Sequence, residues 1–300
     1  MPLTTSDRAG EGARALARAI EPIVGHVYFA PECHDRYVAL GFGPSPGATP
    51  DGVAFPDGPA YFTSRGSALG QVPGELVAAA FGVFNPAVVV PAVSFGWTLT
   101  DAPTVAEERL TGAAEQMERV LGPEPEGIAR ANELLARALD GLPVAGRALF
   151  AGTLSLPLPG TALGDLFRLG DRLREYRGDS HIAVWVGAGL DAVEIGLLTE
   201  QYWGMPARSY IRTRAWSDAD MDEAQERLRR ADLLDADGAL TDEGRTRREE
   251  IERATDAHMT PVLANLGDDL DELLALLTPW ARALMSAHAY PQSPLALTTD

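Results

Sequence analysis

Apolar residues recur at helical spacing along most of the chain. Between Arg8 and Ile23, residues Ala13, Leu16, Ala17 and Ile20 fall at i, i+3, i+4 and i+7, one face of a helix whose end Pro22 marks. Pro31 suits a first helical turn and opens a second helix after the run His26 to Ala30. The spacing predicts further helices over Tyr61 to Ala80, Ala87 to Ser94, Thr104 to Leu121 and Pro123 to Asp140. Thr104 and Glu107 stand in capping-box register at the start of the third of these. Helix resumes over Leu163 to Tyr176, breaks at Arg177-Gly178-Asp179, and continues from His181 to about Tyr202 despite Gly187 and Gly189. Two stretches lack any period. Gly41 to Gly58 is crowded with glycine and with prolines 44, 46, 50 and 56, which predicts a mobile loop over 43–59, and Gly152 to Gly160 reads as a crossing between two lobes.

The final third carries sharper punctuation. Ser217 caps a helix whose apolar face is Met221, Ala224, Leu228 and Ala231. Asp235-Ala236-Asp237-Gly238 is a tight-turn signal, Ala239 to Thr241 reads as a short strand, and Thr241 to Gly244 open a long charged helix to His258. Helix, hairpin, short strand and helix is the order of a winged-helix unit, here Trp216 to His258. A closing amphipathic helix, Leu270 to Ala289, is expected to bend or break at Pro279, and its leucines suit core packing or a homodimer interface. The expected fold class is therefore mainly α. It has an N-terminal lobe (1–150) with the loop 43–59, and a C-terminal lobe (151–300) containing the unit 216–258.

An internal echo supports two lobes. Tyr61, Arg65, Gly70, Glu75, Trp97 and Ala106 to Leu110 recur in order as Tyr176, His181, Gly187, Glu194, Trp216 and Ala224 to Leu228, with the same spacing from glutamate to tryptophan. Chance or duplication would both produce this in an alanine-rich chain. Duplication would face two related helical lobes across a pocket.

Charge changes the picture of the C-terminal unit. The chain has 25 basic and 43 acidic residues, a formal charge of −18, which repels polyphosphates and anionic membranes. From Ser217 to His258, 14 acidic residues face 7 arginines, a local charge of −7. DNA binding needs cations that neutralise phosphates, so nucleic acid is disfavoured as the main partner. The residues available to a DNA-binding alternative are Arg227, Arg229, Arg230, Arg245 and Arg247. Cys33 stands alone, which excludes an internal disulfide; the polar Met1 to Gly10 has no apolar run. No stretch approaches the roughly 20 apolar residues of a membrane helix. The expected setting is cytoplasmic, with no membrane partner.

The candidate chemistry lies in the helical lobes. His181 is the best general acid or base by residue type, since imidazole titrates near neutrality. Arg65 or Arg177 would hold an anionic or carbonyl group, with Glu75 or Glu194 orienting the site. His26, Tyr28, Glu32, Tyr61, Phe62, Phe81, Arg177 and Asp179 would line a pocket for a hydrophobic small molecule. No metal-ligand spacing, nucleophile elbow or phosphate loop is present, so no metal is assigned and the cofactor is unknown. Whether the ligand is transformed stays open, as do a ligand-responsive regulator and a non-catalytic interaction protein.

Several motifs carry a family likeness. They are H-x-Y-F-A-P-E at 26–32, Y-F-x-S-R-x-x-x-L-G at 61–70, the run from Glu75-Leu76-Val77 to Pro86, R-G-D-x-H-x-A at 177–183, W-S-D at 216–218 and L-T-D-E-G-R at 240–245. On these the chain resembles the actinobacterial SalK-like helix-turn-helix family over nearly its whole length, and its C-terminal unit distantly resembles MarR-type regulators. The resemblance implies a helix-turn-helix and a setting in specialised metabolism, and no general reaction. The long Gly/Pro loop at 43–59 departs from that pattern and is read as a lid or specificity element.

Overall fold

In the computed structural model residues 5–291 are described, so residues 1–4 of the polar N-terminal stretch and residues 292–300 lie outside the described residues. The chain is mainly α. Its helices are α1 (Thr5–Gly25), α2 (Pro31–Ala39), α3 (Gly58–Gly66), α4 (Gly74–Phe81), α5 (Pro86–Leu99), α6 (Ala102–Leu121), α7 (Ile128–Ala138) and α8 (Ala148–Ser155). They continue with α9 (Ala162–Gly187), α10 (Ala192–Trp203), α11 (Ser209–Arg212), α12 (Asp218–Arg230), α13 (Asp242–Ala257), α14 (Thr260–Leu266) and α15 (Leu270–Ser286). Strand-like pairing among the described residues consists of two isolated antiparallel bridges, Ala48 with Ala54 and Leu234 with Leu240.

Several boundaries differ from the periodicity. The helix expected over Tyr61 to Ala80 is split, because Gly70 takes a left-handed φ of 81° and Pro73 starts a new helix at α4. No break occurs at Arg177-Gly178-Asp179, which lie inside α9, and glycine there leaves the hydrogen-bond ladder intact. The break falls instead at Gly189, with φ of 79°, after which an Asp191–Glu194 capping box starts α10 and the axis turns by 107°. Helix α6 is capped by Asp101, whose carboxylate accepts from Thr104 N at 2.8 Å, rather than by Thr104. Part of the expected crossing at 152–160 is helical, as the end of α8. The strand at Ala239 to Thr241 is reduced to the Leu234–Leu240 bridge, and α15 is not broken at Pro279, which lies inside it.

The largest core draws on both halves of the chain. It is built from α1, α2, α6, α7, α9, α14 and α15, with Leu16, Ile23, Met117, Leu134, Phe167, Leu273 and Leu277 fully enclosed. The leucine face of α15 is thus spent against α1, α6 and α7. Two smaller apolar bodies flank it. One is formed by α3, α4 and α5 around Phe62, Val77, Phe81 and Val93. The other is formed by α10, α11, α12 and the hairpin around Leu198, Ile211, Met221 and Leu228. Gly74 lets α4 meet α5 closely, since a Cβ there would sit 2.7 Å from the Val90 backbone.

A short seam joins these two bodies. The Asn85 backbone N–H donates to Arg214 O at 3.0 Å, its side-chain amide to Ala215 O at 3.0 Å, and the Trp216 indole N–H to Val83 O at 2.9 Å. Ala215 has a φ of 62°, left-handed backbone that an alanine adopts at a cost of about 1 kcal/mol or more. The seam hydrogen bonds hold it there.

Candidate functional site

A cavity of about 340 Å³ opens beside that seam. Its wall is aromatic, with Tyr61, Phe62 and Phe84 in mutual contact and Tyr28 against Tyr61. Ring centroids lie 4.8 Å apart for Tyr28–Tyr61, 5.6 Å for Tyr61–Phe84 and 5.1 Å for Phe62–Phe84. Each ring is placed by a local signal. Tyr28 belongs to a one-turn 3-10 helix that ends before Pro31, and Tyr61 and Phe62 sit in α3 behind the N-cap Asp57, which accepts from Ala60 N at 3.1 Å. Phe84 is held by the break between α4 and α5. The Gly/Pro stretch supplies Phe55 and Pro56, and it is pinned by Thr49 N donating to Val53 O at 2.8 Å.

Two guanidiniums reach this wall and differ in their pairing. Arg174 is matched by carboxylates: it donates to both oxygens of Glu21, at 2.9 and 3.2 Å, and to Glu175 at 3.0 Å. Glu175 also takes two bonds from Arg65, at 3.1 and 2.9 Å. Burial alone would push the Glu175 carboxyl up, but the guanidiniums of Arg65 and Arg174 outweigh it and hold it well below its usual range. Arg214, by contrast, has no carboxylate within ion-pair distance among the described residues. It lies 4.3 Å from the Tyr210 ring and 4.7 Å from the Phe84 ring, and its buried Nε finds no acceptor. The cavity therefore presents one unmatched positive charge. The Tyr28 hydroxyl, reached at 3.4 Å by both Arg109 and Arg174, is kept protonated by burial.

The expected ligand residues divide accordingly. Tyr28, Tyr61 and Phe62 line the cavity, while Phe81 packs behind them and carries Arg65 at 4.4 Å over its ring. Arg65 is thus part of the supporting ion-pair network. His26 is fully buried, donates from Nδ1 to Gln116, and is pushed down to about 4 by desolvation. Glu32 pairs with Arg119 at 2.6 Å, away from the cavity. Arg177 binds Glu252 and Asp256 at 3.2 and 3.3 Å, joining α9 to α13. Asp179 accepts from Phe150 N at 2.9 Å, and burial raises its carboxyl to about 7.

His181 is not brought to Arg65. Its Nδ1 lies 3.0 Å from Thr255 Oγ1, and that hydroxyl donates to Ile251 O at 2.8 Å, so the ring nitrogen must be the donor. Desolvation, opposed by the Glu252 charge, lowers His181 to about 4, so the ring is neutral at pH 7. Glu194 is occupied by the α10 capping box and by Arg227 at 2.8 Å, whereas Glu75 stands exposed in the first turn of α4. The Cys33 thiol is buried and pushed up to about 12 by desolvation. Periodicity gave no warning of Arg174, Arg214 or Tyr290. Arg214 lies two residues before the Trp216 motif, and that proximity was the one available signal.

Over residues 13–291 the sequence matches the Helix-turn-helix family, and the chain belongs to that family. Membership supports a DNA-binding-type domain. No curated protein and no solved structure matches the chain. Among the described residues no single helix is long and apolar enough to cross a membrane.

The arginines that DNA would require are largely engaged. Arg227 pairs with Asp191 and Glu194, and Arg229 with Glu226 at 2.6 Å and the hairpin carbonyl of Asp235 at 3.1 Å. Arg230 bonds Glu226 O at 3.3 Å, and Arg247 bonds Ala188 O at 2.8 Å. Arg245 is exposed. At the other end of α12, Asp218 and Asp222 bind Arg212 and Arg208 at 2.6 and 2.5 Å.

Proposed function

We propose that this member of the helix-turn-helix family binds a small, flat, hydrophobic molecule bearing one anionic group in the aromatic cavity between its lobes. Arg214 carries the reading. A half-buried guanidinium with no carboxylate in reach among the described residues, its Nε enclosed and without an acceptor at the edge of an aromatic cavity, leaves its positive charge free for a ligand. A ligand carboxylate or phenolate would supply the missing charge, and the rings of Tyr61, Phe62 and Phe84 would cover its apolar body. The specialised-metabolism setting implied by the SalK-like resemblance fits such a ligand. The C-terminal unit is read as a winged-helix-derived scaffold, on the order α12, hairpin, α13. The duplication reading draws support from Trp97 and Trp216, whose indoles each donate to a backbone carbonyl, Val72 O at 2.8 Å and Val83 O at 2.9 Å.

The test is calorimetric titration with anthracene-9-carboxylate and its uncharged carboxamide. One site is expected, with the acid preferred and weakened about tenfold or more in Arg214→Ala, the scale of a charge-assisted hydrogen bond. Equal binding of acid and amide, or unchanged affinity in the variant, would remove Arg214 from the reading.

Family membership favours a second reading, a ligand-responsive DNA-binding regulator. Arg245 and Arg229 beside the hairpin would then touch phosphates, and binding to DNA upstream of its own gene would weaken steeply with salt. A low-salt gel shift that finds no complex, with or without the aromatic acid, rules this out.

A further inference from the structure

On the far side of the seam lies a second hollow, a groove of about 590 Å³ between α4, the end of α9, α10 and α12. Its walls include Phe84, Trp185 and Trp216, so it shares Phe84 with the aromatic cavity. Its charge is opposite. Glu75 from α4 and Glu223 from α12 both line it, and neither has a cationic partner within ion-pair distance among the described residues. The cation among the lining residues, Arg227, is already held by Asp191 and Glu194. Trp185 is 4 % exposed, lines the groove, and its indole N–H has no acceptor.

We propose that this groove is a second binding site, for a lipophilic organic cation. The volume suits a drug-sized molecule. The indoles of Trp185 and Trp216 line it, and an indole ring attracts a diffuse positive charge through its quadrupole. Glu75 and Glu223 supply the counter-charge from opposite walls. The chain's overall charge of −18 concentrates cations near the surface.

The experiment titrates the full chain with tetraphenylphosphonium and with tetraphenylborate, ions of nearly one shape and opposite sign. The cation is expected to bind and the anion to bind far more weakly at this site, with quenching of tryptophan fluorescence by the cation. Glu75→Gln and Glu223→Gln are each expected to weaken the cation about threefold to fivefold, the scale of one exposed charge pair, and raised salt to weaken it further. Arg214→Ala, in the neighbouring cavity, leaves cation affinity within about twofold, a change below the scale of one such pair. Failure of the cation to bind, equal affinity of the two ions, or indifference to both glutamate substitutions overturns the proposal. So does a loss in Arg214→Ala as large as that in the glutamate variants, which would place the cation in the other cavity.

Discussion

The aromatic cavity and the groove share one wall, Phe84, and one seam, yet they face opposite charges. Both depend on the same few hydrogen bonds between Val83, Asn85 and the 214–216 segment. On the cavity side the seam presents Arg214, and α9 presents Arg174 paired with the buried Glu175 and the more exposed Glu21. On the groove side α4 and α12 present exposed carboxylates. Rings provide affinity for any flat apolar body. The charge beside them then decides which ion is held, and burial decides how strongly substitution is felt.

The largest expected effect breaks the cavity side alone. Glu175, itself buried, anchors both Arg65 and Arg174, so Glu175→Gln leaves two largely covered guanidiniums short of charge and is expected to cost about 3 kcal/mol in urea unfolding. Because the folded state holds this carboxyl below its usual range, its stabilisation is present above the ordinary glutamate value and is lost as pH falls through the folded value. The penalty of the substitution should therefore shrink in acid. No substitution at the exposed Glu75 or Glu223 should approach this cost.

Asp179, one helical turn from Glu175, is expected to act with the opposite sign. Its folded value of about 7 lies above the ordinary 3.8, so it favours the folded state at low pH and that favour is lost as pH rises through 7. Asp179→Asn keeps an acceptor for Phe150 N and removes the ionisation. It should be about 2–4 kcal/mol more stable than the parent at pH 8, with the difference vanishing near pH 4. An unfolding series from pH 4 to 8 that shows a constant offset would contradict this.

The smallest effect joins the two hollows. Asn85→Ala removes the bond to Ala215 O and the cap to Ala87 N, and is expected to cost about 1–2 kcal/mol. Since both hollows rest on this seam, it should weaken the aromatic acid and the lipophilic cation alike. Loss of one without the other would separate what the seam is taken to join.

Legibility followed local chemistry. The caps at Ser217 and Thr241, the turn at Gly238 and the helices they delimit were readable because each rests on residues within one turn. Tyr28, Tyr61 and Phe62 stood in dense aromatic motifs. Gly178 was misleading because a glycine breaks a helix only where the backbone must turn, as at Gly189 with its positive φ. The pairing of Arg174 and Arg214 was hidden for a different reason. Their roles depend on which carboxylates packing brings near, Glu21 and Glu175 for one and, among the described residues, none for the other, and no spacing in the chain encodes that. His181 looked reactive by type, while burial against Thr255 lowers it to about 4.

The most direct measurement is a crystal structure of the protein with anthracene-9-carboxylate. The carboxylate should lie within hydrogen-bond distance of the Arg214 guanidinium, with the rings covered by Tyr61 and Phe84. A ligand bound elsewhere, or one seated in the cavity with its carboxylate turned away from Arg214, would contradict the account.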